Sequence, residues 1–232
     1  MVFDPSSLEI ERVFAQSFGQ GLRTVGITAP QWDSGTSSLA RSLAARSALS
    51  GRKTLYMDLS GPIIEGDEEL STGWQPHLMG AGQAVETGGD EPYDRLILKA
   101  NMADAMAIRD TERLTAVLNS DLIRYRSVVV DLAPLPKSSP AALPSSIGAA
   151  ACEGVILTSL VGAVSRENVV QTVDSIEATG TKLLGLVLND RDYPTLGQEM
   201  AREALRLRRI FPWLANSLAR RALNSKMLNS RL

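Results

Sequence analysis

The hydrophobic residues of this chain fall into short continuous runs, separated by longer stretches with helical spacing. Runs of β-branched and aliphatic residues bounded by glycine, proline or polar residues are typical of buried strands. The runs predicted as strands are Thr24–Thr28, Thr54–Leu59, Tyr93–Lys99, Ser127–Asp131, Gly154–Ser159 and Leu183–Asn189. Because continuous apolar strands that alternate with helices are covered on both faces, the pattern predicts an α/β fold. We expect a mostly parallel twisted sheet with helices on both faces, in three α/β/α layers.

Apolar positions at helical spacing predict the covering helices. The first begins after Ser6-Ser7, which are typical N-cap residues. The others are predicted over Leu39–Leu49, Asp110–Tyr125, Glu167–Ala178 and Leu196–Phe211. Gly61–Pro92, rich in glycine and acidic residues, and the proline-rich segment Pro134–Pro144 are predicted to lack regular structure.

The end of the chain differs in charge from the rest. Residues 198–232 contain eight Lys or Arg and two Asp or Glu, so this part carries +6 while the whole chain carries −2. We therefore assign residues 1–196 to the α/β domain and 197–232 to a basic amphipathic helical tail. Such a tail suits an anionic membrane surface or a partner's groove, and its confinement to one end of an acidic chain argues against nucleic acid.

The composition indicates a cytoplasmic protein. With 232 residues, of which 44% are hydrophobic and 22% charged, the chain can bury one sizeable core. A single cysteine excludes an internal disulfide framework and fits a reducing compartment. No apolar run reaches the roughly 18 residues of a transmembrane helix, and the first residues lack a signal-peptide pattern.

A polar loop between the first strand and the next helix is the main candidate for chemistry. It ends on Gly35, which is followed by Thr36, Ser37 and Ser38. Strand, small-residue loop and helix N-terminus form the layout of a phosphate-binding loop, in which backbone N–H groups face an anion. The lysine that normally follows the last glycine of such a loop is replaced by Thr36.

Polar residues end several predicted strands and are expected at the same edge of the sheet as this loop. Asp58, Asp131 and Asn189 follow buried runs, and ligands bind at the carboxyl ends of parallel strands. Ser37, Asp58 and Asp131 are therefore candidate Mg²⁺ ligands. Alternatively, Ser37 caps the helix, which we favour, and the aspartates bond to loop amides. Asn189 either contacts a nucleotide base or simply ends its strand.

Motifs along the chain match those of one family in order and spacing. Thr28–Ser38 is similar to a loop T-S-x-x-P-G-E-G-K-[ST]-T, Leu55–Ser60 to a strand ending D-x-D, and Tyr125–Pro134 to Y-D-x-V-I-I-D-x-P-P. Cys152–Val155 is similar to A-D-G-V, and Gly185–Asn189 to G-V-V-L-N. Together they resemble the cytoplasmic domain of bacterial tyrosine kinases (BY-kinases) tied to polysaccharide co-polymerases, within the MinD/ParA-type P-loop ATPases. The resemblance implies a P-loop NTPase-like fold and a nucleotide site at Gly35, Thr36, Ser37, Ser38, Asp131 and Asn189.

Departures from the family pattern predict that the chain is not an active kinase. Thr36 stands in place of the lysine, Asp33 in place of a glycine, and Ser60 in place of the second aspartate of D-x-D. Because phosphoryl transfer depends on positioning and electrostatic stabilisation, each lost group is expected to cost about 10²–10³ in rate. The chain also has no tyrosine after Tyr193, where the family has its autophosphorylated cluster. We therefore assign no catalytic residue and no required cofactor, and expect ATP or ADP with Mg²⁺ to bind weakly if at all.

The resemblance implies a cytoplasmic protein, peripheral at the inner membrane. Its partner would be an integral-membrane polysaccharide co-polymerase, or chain-length determinant, in exopolysaccharide or capsular polysaccharide synthesis. Self-association stays open, since the family's oligomer-forming motif E-x-x-R-x-x-R is matched at Glu9 and Arg12 but ends on Ala15.

Two alternatives remain. The first is a weak true ATPase or protein tyrosine kinase that uses the serine and aspartates above with an unrecognised lysine, such as Lys53. The second is a MinD/ParA-like positioning protein that binds the membrane through its basic tail.

Overall fold

The computed structural model describes residues 3–61, 73–76, 78–99, 101, 106, 108–135, 143–191, 196–206 and 212–225. Contacts divide the chain into two compact units, Met1–Asn189 and Asp190–Leu232, which are described separately. The first is called the body and the second the tail unit.

The body is built on a parallel sheet. Its strands are β1 (Thr24–Thr28), β2 (Thr54–Asp58), β3 (Asp94–Ile97), β4 (Ser127–Asp131), β5 (Gly154–Leu160) and β6 (Lys182–Asn189). They form a six-stranded sheet in the order β3-β2-β4-β1-β5-β6, and every pair is parallel. Every residue of β1, β4 and β5 is buried, whereas β6 lies at the edge with exposed residues. The continuous apolar runs in the sequence thus mark the covered central strands.

Helices cover both faces of the sheet, as predicted. They are α1 (Leu8–Gln16), α2 (Thr36–Leu49), α3 (Thr111–Ala116), α4 (Ser145–Ala150) and α5 (Arg166–Glu177). One core cluster joins α1 and α2 to the sheet through residues such as Ile10, Leu39 and Val129. A second cluster, including Leu114, Ala149 and Ile176, joins α3, α4 and α5 to the opposite face. The three-layer α/β/α fold is confirmed.

Two helical regions differ from the sequence prediction. The helix expected to extend to Tyr125 leaves the α-helical form after Ala116 and continues as a π-helical turn over Val117–Asp121. Helix α4 was not predicted, because it begins immediately after Pro144, at the end of the proline-rich segment. Proline fixes its own φ angle and is well tolerated just before or at the first helical residue.

The segment Gly61–Pro92 is only partly described. Its described residues contain a short 3₁₀ helix, Ala81–Gln83, and the isolated bridges Trp74↔Leu98 and Glu86↔Arg95. Trp74 is nonetheless almost fully buried. Residues 62–72 and 77 lie outside the described residues.

Helix α2, whose first turn belongs to the candidate site, contacts α1 through an ion pair and a cation–π interaction. Arg46 Nη2 donates to Glu11 Oε2 at 2.9 Å, and its guanidinium carbon lies 4.4 Å from the centroid of the Phe14 ring. The lower pKa of Glu11 results chiefly from its hydrogen bond to Arg46. Because Arg46 belongs to the last turn of α2, these contacts hold the C-terminal end of that helix against α1.

The described residues of the tail unit form two helices, α6 (Leu196–Arg206) and α7 (Pro212–Asn224). They bury Ala201, Ala204 and Ala222 against each other. The predicted helix extended to Phe211, and residues 207–211 lie outside the described part. None of the helices in the described residues is long and apolar enough to cross a membrane.

Candidate functional site

The loop between β1 and α2 contains two residues with positive φ. Gly35 has φ +92° and is the N-cap residue of α2, while Asp33 has φ +62°, a conformation that glycine adopts more readily. The first helical bond runs from Leu39 N–H to the Gly35 carbonyl at 2.9 Å. Because glycine has no side chain, the N-cap residue cannot accept a hydrogen bond from the first N–H groups of α2.

Asp58 and Asp131 meet at the edge of the sheet beside this loop. They are the last residues of β2 and β4, and they are register partners in the parallel ladder. The Tyr56 hydroxyl donates to Asp131 Oδ2 at 2.8 Å and lies 3.5 Å from Asp58 Oδ2. The sequence prediction that polar strand ends gather here is correct.

Asp131 is a fully buried carboxyl group. Burial, and then the nearby charge of Asp58, raise its pKa to about 6, while Ser37, Tyr56 and Arg41 act in the opposite direction. Its Oδ1 atom has no hydrogen-bond partner among the described residues. The Ser37 hydroxyl approaches the carboxyl closely enough to lower its pKa, without meeting the geometry of a full hydrogen bond.

Ser37 therefore does not serve as the helix cap, which was the favoured interpretation from the sequence. The N-cap position belongs to Gly35, and the Ser37 side chain faces Asp131. Thr36 and Ser38 are half-buried beside it in the first turn of α2. The small hydroxyl residues of the loop thus lie next to the buried carboxylate.

Asp58 is held by Ser60, the residue two places further on. The Ser60 backbone N–H and hydroxyl donate to Asp58 Oδ1 at 2.9 and 2.7 Å. This matches the alternative in which the carboxylate bonds to a loop amide. Within the described residues, no group of three or more acidic, histidine or cysteine side chains is placed to hold a metal ion.

Asn189 ends β6 and bonds to the loop. Its Nδ2 donates to the Ser34 carbonyl at 3.0 Å, and the pair is buried. A side chain at position 35 would collide with this amide, so glycine is required there for space as well as for φ. The geometry agrees with a structural role for Asn189 in fixing the loop.

Solved structures share this fold at low sequence identity. The chimerical protein CapA2B2 superposes with a TM-score of 0.65 at 21% identity, over 81% of this chain and 87% of the other. The kinase domain of the Escherichia coli tyrosine kinase ETK gives a TM-score of 0.62 at 19% identity, over 79% and 74%. MinD from Pyrococcus horikoshii, complexed with Mg-ADP, gives 0.55 at 17% identity, over 74% and 72%. The chain has the BY-kinase and MinD type of P-loop fold. No protein-family model matches the sequence, and no curated protein matches it significantly.

Lys53 cannot supply the charge missing from the P-loop, so the use of this lysine in the alternative hypothesis is wrong. It precedes the first residue of β2, whereas Asp58 ends that strand, so the two residues lie about 16 Å apart along the strand at roughly 3.3 Å per residue. The Lys53 ammonium lies 5.4 Å from the centroid of the Tyr125 ring instead. In a parallel sheet, residues before and after a strand lie at opposite edges.

Sequence reasoning missed two residues of the site, Tyr56 and Arg41. Tyr56 lies two residues before Asp58, so the alternation of a strand places both side chains on one face. Arg41 lies four residues after Ser37 on α2, and its guanidinium carbon is 5.6 Å from the centroid of the Tyr56 ring. Both spacings are visible in the sequence once the strand and helix are assigned.

Trp32 lies at the surface of the P-loop with half of its area exposed. A side chain exposed to this degree does not fill the interior of the site. Its ring is available for contact with another molecule.

Proposed function

We propose that this protein is a catalytically degenerate relative of the BY-kinases that docks on an integral-membrane chain-length determinant or export protein. The process would be exopolysaccharide or capsular polysaccharide synthesis, a context that comes from the sequence resemblance. The fold shared with the ETK kinase domain and CapA2B2 supports this class of protein. The tail unit would bind beside the partner, at the inner face of the membrane.

The observation that carries the proposal is a P-loop with left-handed backbone turns, in which the expected lysine is missing and a carboxylate has been added. Gly35 and Asp33 hold the P-loop backbone in its left-handed turns. Thr36 takes the lysine position, and Asp33 adds a carboxylate where phosphates would lie. Since catalysis of phosphoryl transfer is largely electrostatic, this arrangement suits a docking module better than an enzyme.

A weak ATPase or protein tyrosine kinase is the second candidate, because two of the residues expected to bind Mg²⁺, Ser37 and Asp131, lie together. The buried Asp131 Oδ1 lacks a hydrogen-bond partner among the described residues, and Ser37 faces the same carboxyl. A buried unpaired carboxylate oxygen is a typical position for a bound cation.

A MinD-like positioning protein is the third candidate, favoured by the exposed side chains of α7. Trp213 is 73% exposed, and Pro212–Asn224 contains Arg220 and Arg221 without an acidic residue. An aromatic ring with arginines suits an anionic lipid surface.

Nucleotide binding by the wild-type protein separates the first candidate from the second. We expect ATP with Mg²⁺ to bind more weakly than millimolar in calorimetric titration, without turnover. Micromolar affinity would overturn the proposal in favour of an enzyme. The double variant Asp33→Gly, Thr36→Lys should bind more tightly, because it restores the glycine and the lysine of the loop. Unchanged affinity in the folded double variant would mean that another feature closes the site.

Docking is tested by co-sedimentation with proteoliposomes that contain a two-span chain-length determinant without its own kinase domain. We expect binding to these proteoliposomes and much weaker binding to protein-free vesicles of the same anionic composition. Equal binding to both would favour the positioning protein.

A further inference from the structure

Tyr56 lies where the carboxylates of two neighbouring strands converge. Its hydroxyl donates to Asp131 Oδ2 at 2.8 Å and lies 3.5 Å from Asp58 Oδ2. Because the two aspartates are register partners in β2 and β4, the hydroxyl stands between them. Tyr56 shares a core cluster with Leu39 and Leu43 of α2, so this contact is on the P-loop side of the sheet.

The tyrosine ring is held in one place by its neighbours. It is fully buried, with the Arg41 guanidinium carbon 5.6 Å from its centroid and the Tyr93 ring 6.0 Å away at an interplanar angle of 55°. Cation–π and tilted aromatic contacts of this kind fix the ring as well as burying it. The hydroxyl is therefore positioned before any ligand arrives.

The other carboxylate oxygen of Asp58 is bonded to Ser60. Ser60 donates to Asp58 Oδ1 through both its N–H and its hydroxyl. Ser60 is also the residue that replaces the second aspartate of the family's D-x-D strand. Each of the two strand-end carboxylates is thus bonded to a neutral donor from the chain itself.

We propose that Tyr56 prevents a divalent cation from bridging Asp58 and Asp131, because its hydroxyl already occupies the position between them. Mg²⁺ requires oxygen ligands at about 2.0–2.1 Å in near-octahedral geometry. A hydroxyl oxygen at 2.8 and 3.5 Å from the two Oδ2 atoms leaves no space for such an ion between them. This inference rests on the proposed function, since it explains how a P-loop fold keeps polar strand ends without binding a cation there.

The test is a Mn²⁺ titration of the full-length Tyr56→Phe variant in the absence of nucleotide. Free Mn²⁺ is measured by electron paramagnetic resonance, and thermal unfolding is followed with and without the ion. Removal of a hydrogen bond to a charged group should free Asp131 for the cation and tighten Mn²⁺ binding by about tenfold to a hundredfold over wild type. Addition of Asp131→Asn to this variant should abolish the gain.

Tyr125→Phe is the matched control. Its hydroxyl donates to Asp94 Oδ2 at 2.7 Å, which makes a second Tyr–Asp pair, partly buried, near the start of β2 and β3. This variant removes the same kind of hydrogen bond without opening the P-loop edge. It should bind Mn²⁺ no more tightly than wild type does.

Wild-type binding of Mn²⁺ as tight as that of Tyr56→Phe would overturn the inference, as would a folded Tyr56→Phe variant with no gain. If Tyr56→Phe does not fold, Tyr56→Leu is titrated in its place, with the same two outcomes. The assay contains neither nucleotide nor a membrane partner. A failure of the docking proposal therefore leaves this result unchanged, and a failure here leaves the docking experiment interpretable.

Discussion

Asp131 places an ionisable group at the fully buried end of β4. Its pKa of about 6 lies above the ordinary value of 3.8, chiefly because burial disfavours the charged form. The folded protein consequently holds a proton on Asp131 more tightly than the unfolded chain does. The stability that this proton contributes is fully present below about pH 4 and is lost as the pH rises through about 6.

The variant Asp131→Asn should remove this pH dependence, because asparagine accepts the Tyr56 hydrogen bond without a charge. From a pKa shift of about two units, we expect its stability relative to wild type to rise from near zero below pH 4 to about 3 kcal/mol above pH 7. Urea denaturation across this range, with a chelator present, measures the difference in free energy of unfolding. A difference that does not vary with pH would contradict the prediction.

Gly35, in the loop before α2, is constrained both by its own backbone angle and by a side chain from another element. Gly35 adopts φ +92°, and a side chain there would also meet the Asn189 amide from β6. Gly51, just after α2, adopts a similar φ of +79° but has open space around it. The two glycines therefore separate backbone strain from steric collision.

Gly35→Ala should destabilise the body more than Gly51→Ala does. Both changes carry the cost of a left-handed alanine, about 1 kcal/mol, and Gly35→Ala adds a collision of about 1–3 kcal/mol. Denaturant unfolding of the two variants measures the difference. A double-mutant cycle with Asn189→Ala should recover part of the extra loss, and equal losses at both glycines would contradict this account.

In the tail unit, the arginines of α6 and those of α7 differ in their ion pairs. On α6, Arg202 and Arg206 pair with Glu199 and Glu203. On α7, Arg220 and Arg221 have no ion pair within the described residues, and Trp213 is largely exposed. The second helix therefore has the greater attraction for an anionic surface.

Charge reversal at Arg220→Glu, Arg221→Glu should weaken binding to anionic vesicles. Each arginine near such a surface contributes roughly 1 kcal/mol, so we expect a loss of about 2 kcal/mol or more, measured by sedimentation at low salt. Arg202→Glu, Arg206→Glu is the matched control on α6 and should have a smaller effect. An equal loss in both variants would show that only net charge matters.

At the scale of the whole molecule, the three tyrosines within the described residues are all buried. Tyr56, Tyr93 and Tyr125 are all buried in the body, while Tyr193 lies outside the described residues. A tyrosine kinase that acts on a second molecule needs an acceptor tyrosine in an extended, accessible segment. The folded body does not present one in its described part.

Incubation of the purified protein with ATP and Mg²⁺ should therefore give no phosphotyrosine, as measured by mass spectrometry of the intact chain and of its peptides. A folded, active BY-kinase is the positive control. Phosphotyrosine on this chain would support the tyrosine kinase hypothesis and contradict the proposal that the protein is catalytically degenerate.

Local pattern was enough to predict most of the fold. Ser127–Asp131 and Thr24–Thr28 are strands with the predicted bounds, because covered parallel strands must be apolar throughout. Asp110, the first residue of a predicted helix, is its N-cap in the structure. Helix α4 escaped prediction because the prolines before it dominate the local signal.

The sequence by itself determined the order of strands and helices, the place of the P-loop and the loss of its lysine, since these depend on residue type and spacing. It also placed Asp58, Asp131 and Asn189 at one edge, because all parallel strands end there. Only the tertiary structure decided that Tyr56 bonds to Asp131, that Asn189 fixes the loop, and that Lys53 lies at the far edge. Those contacts join residues that are distant in sequence, so their geometry depends on how the strands pair and how α2 packs on them.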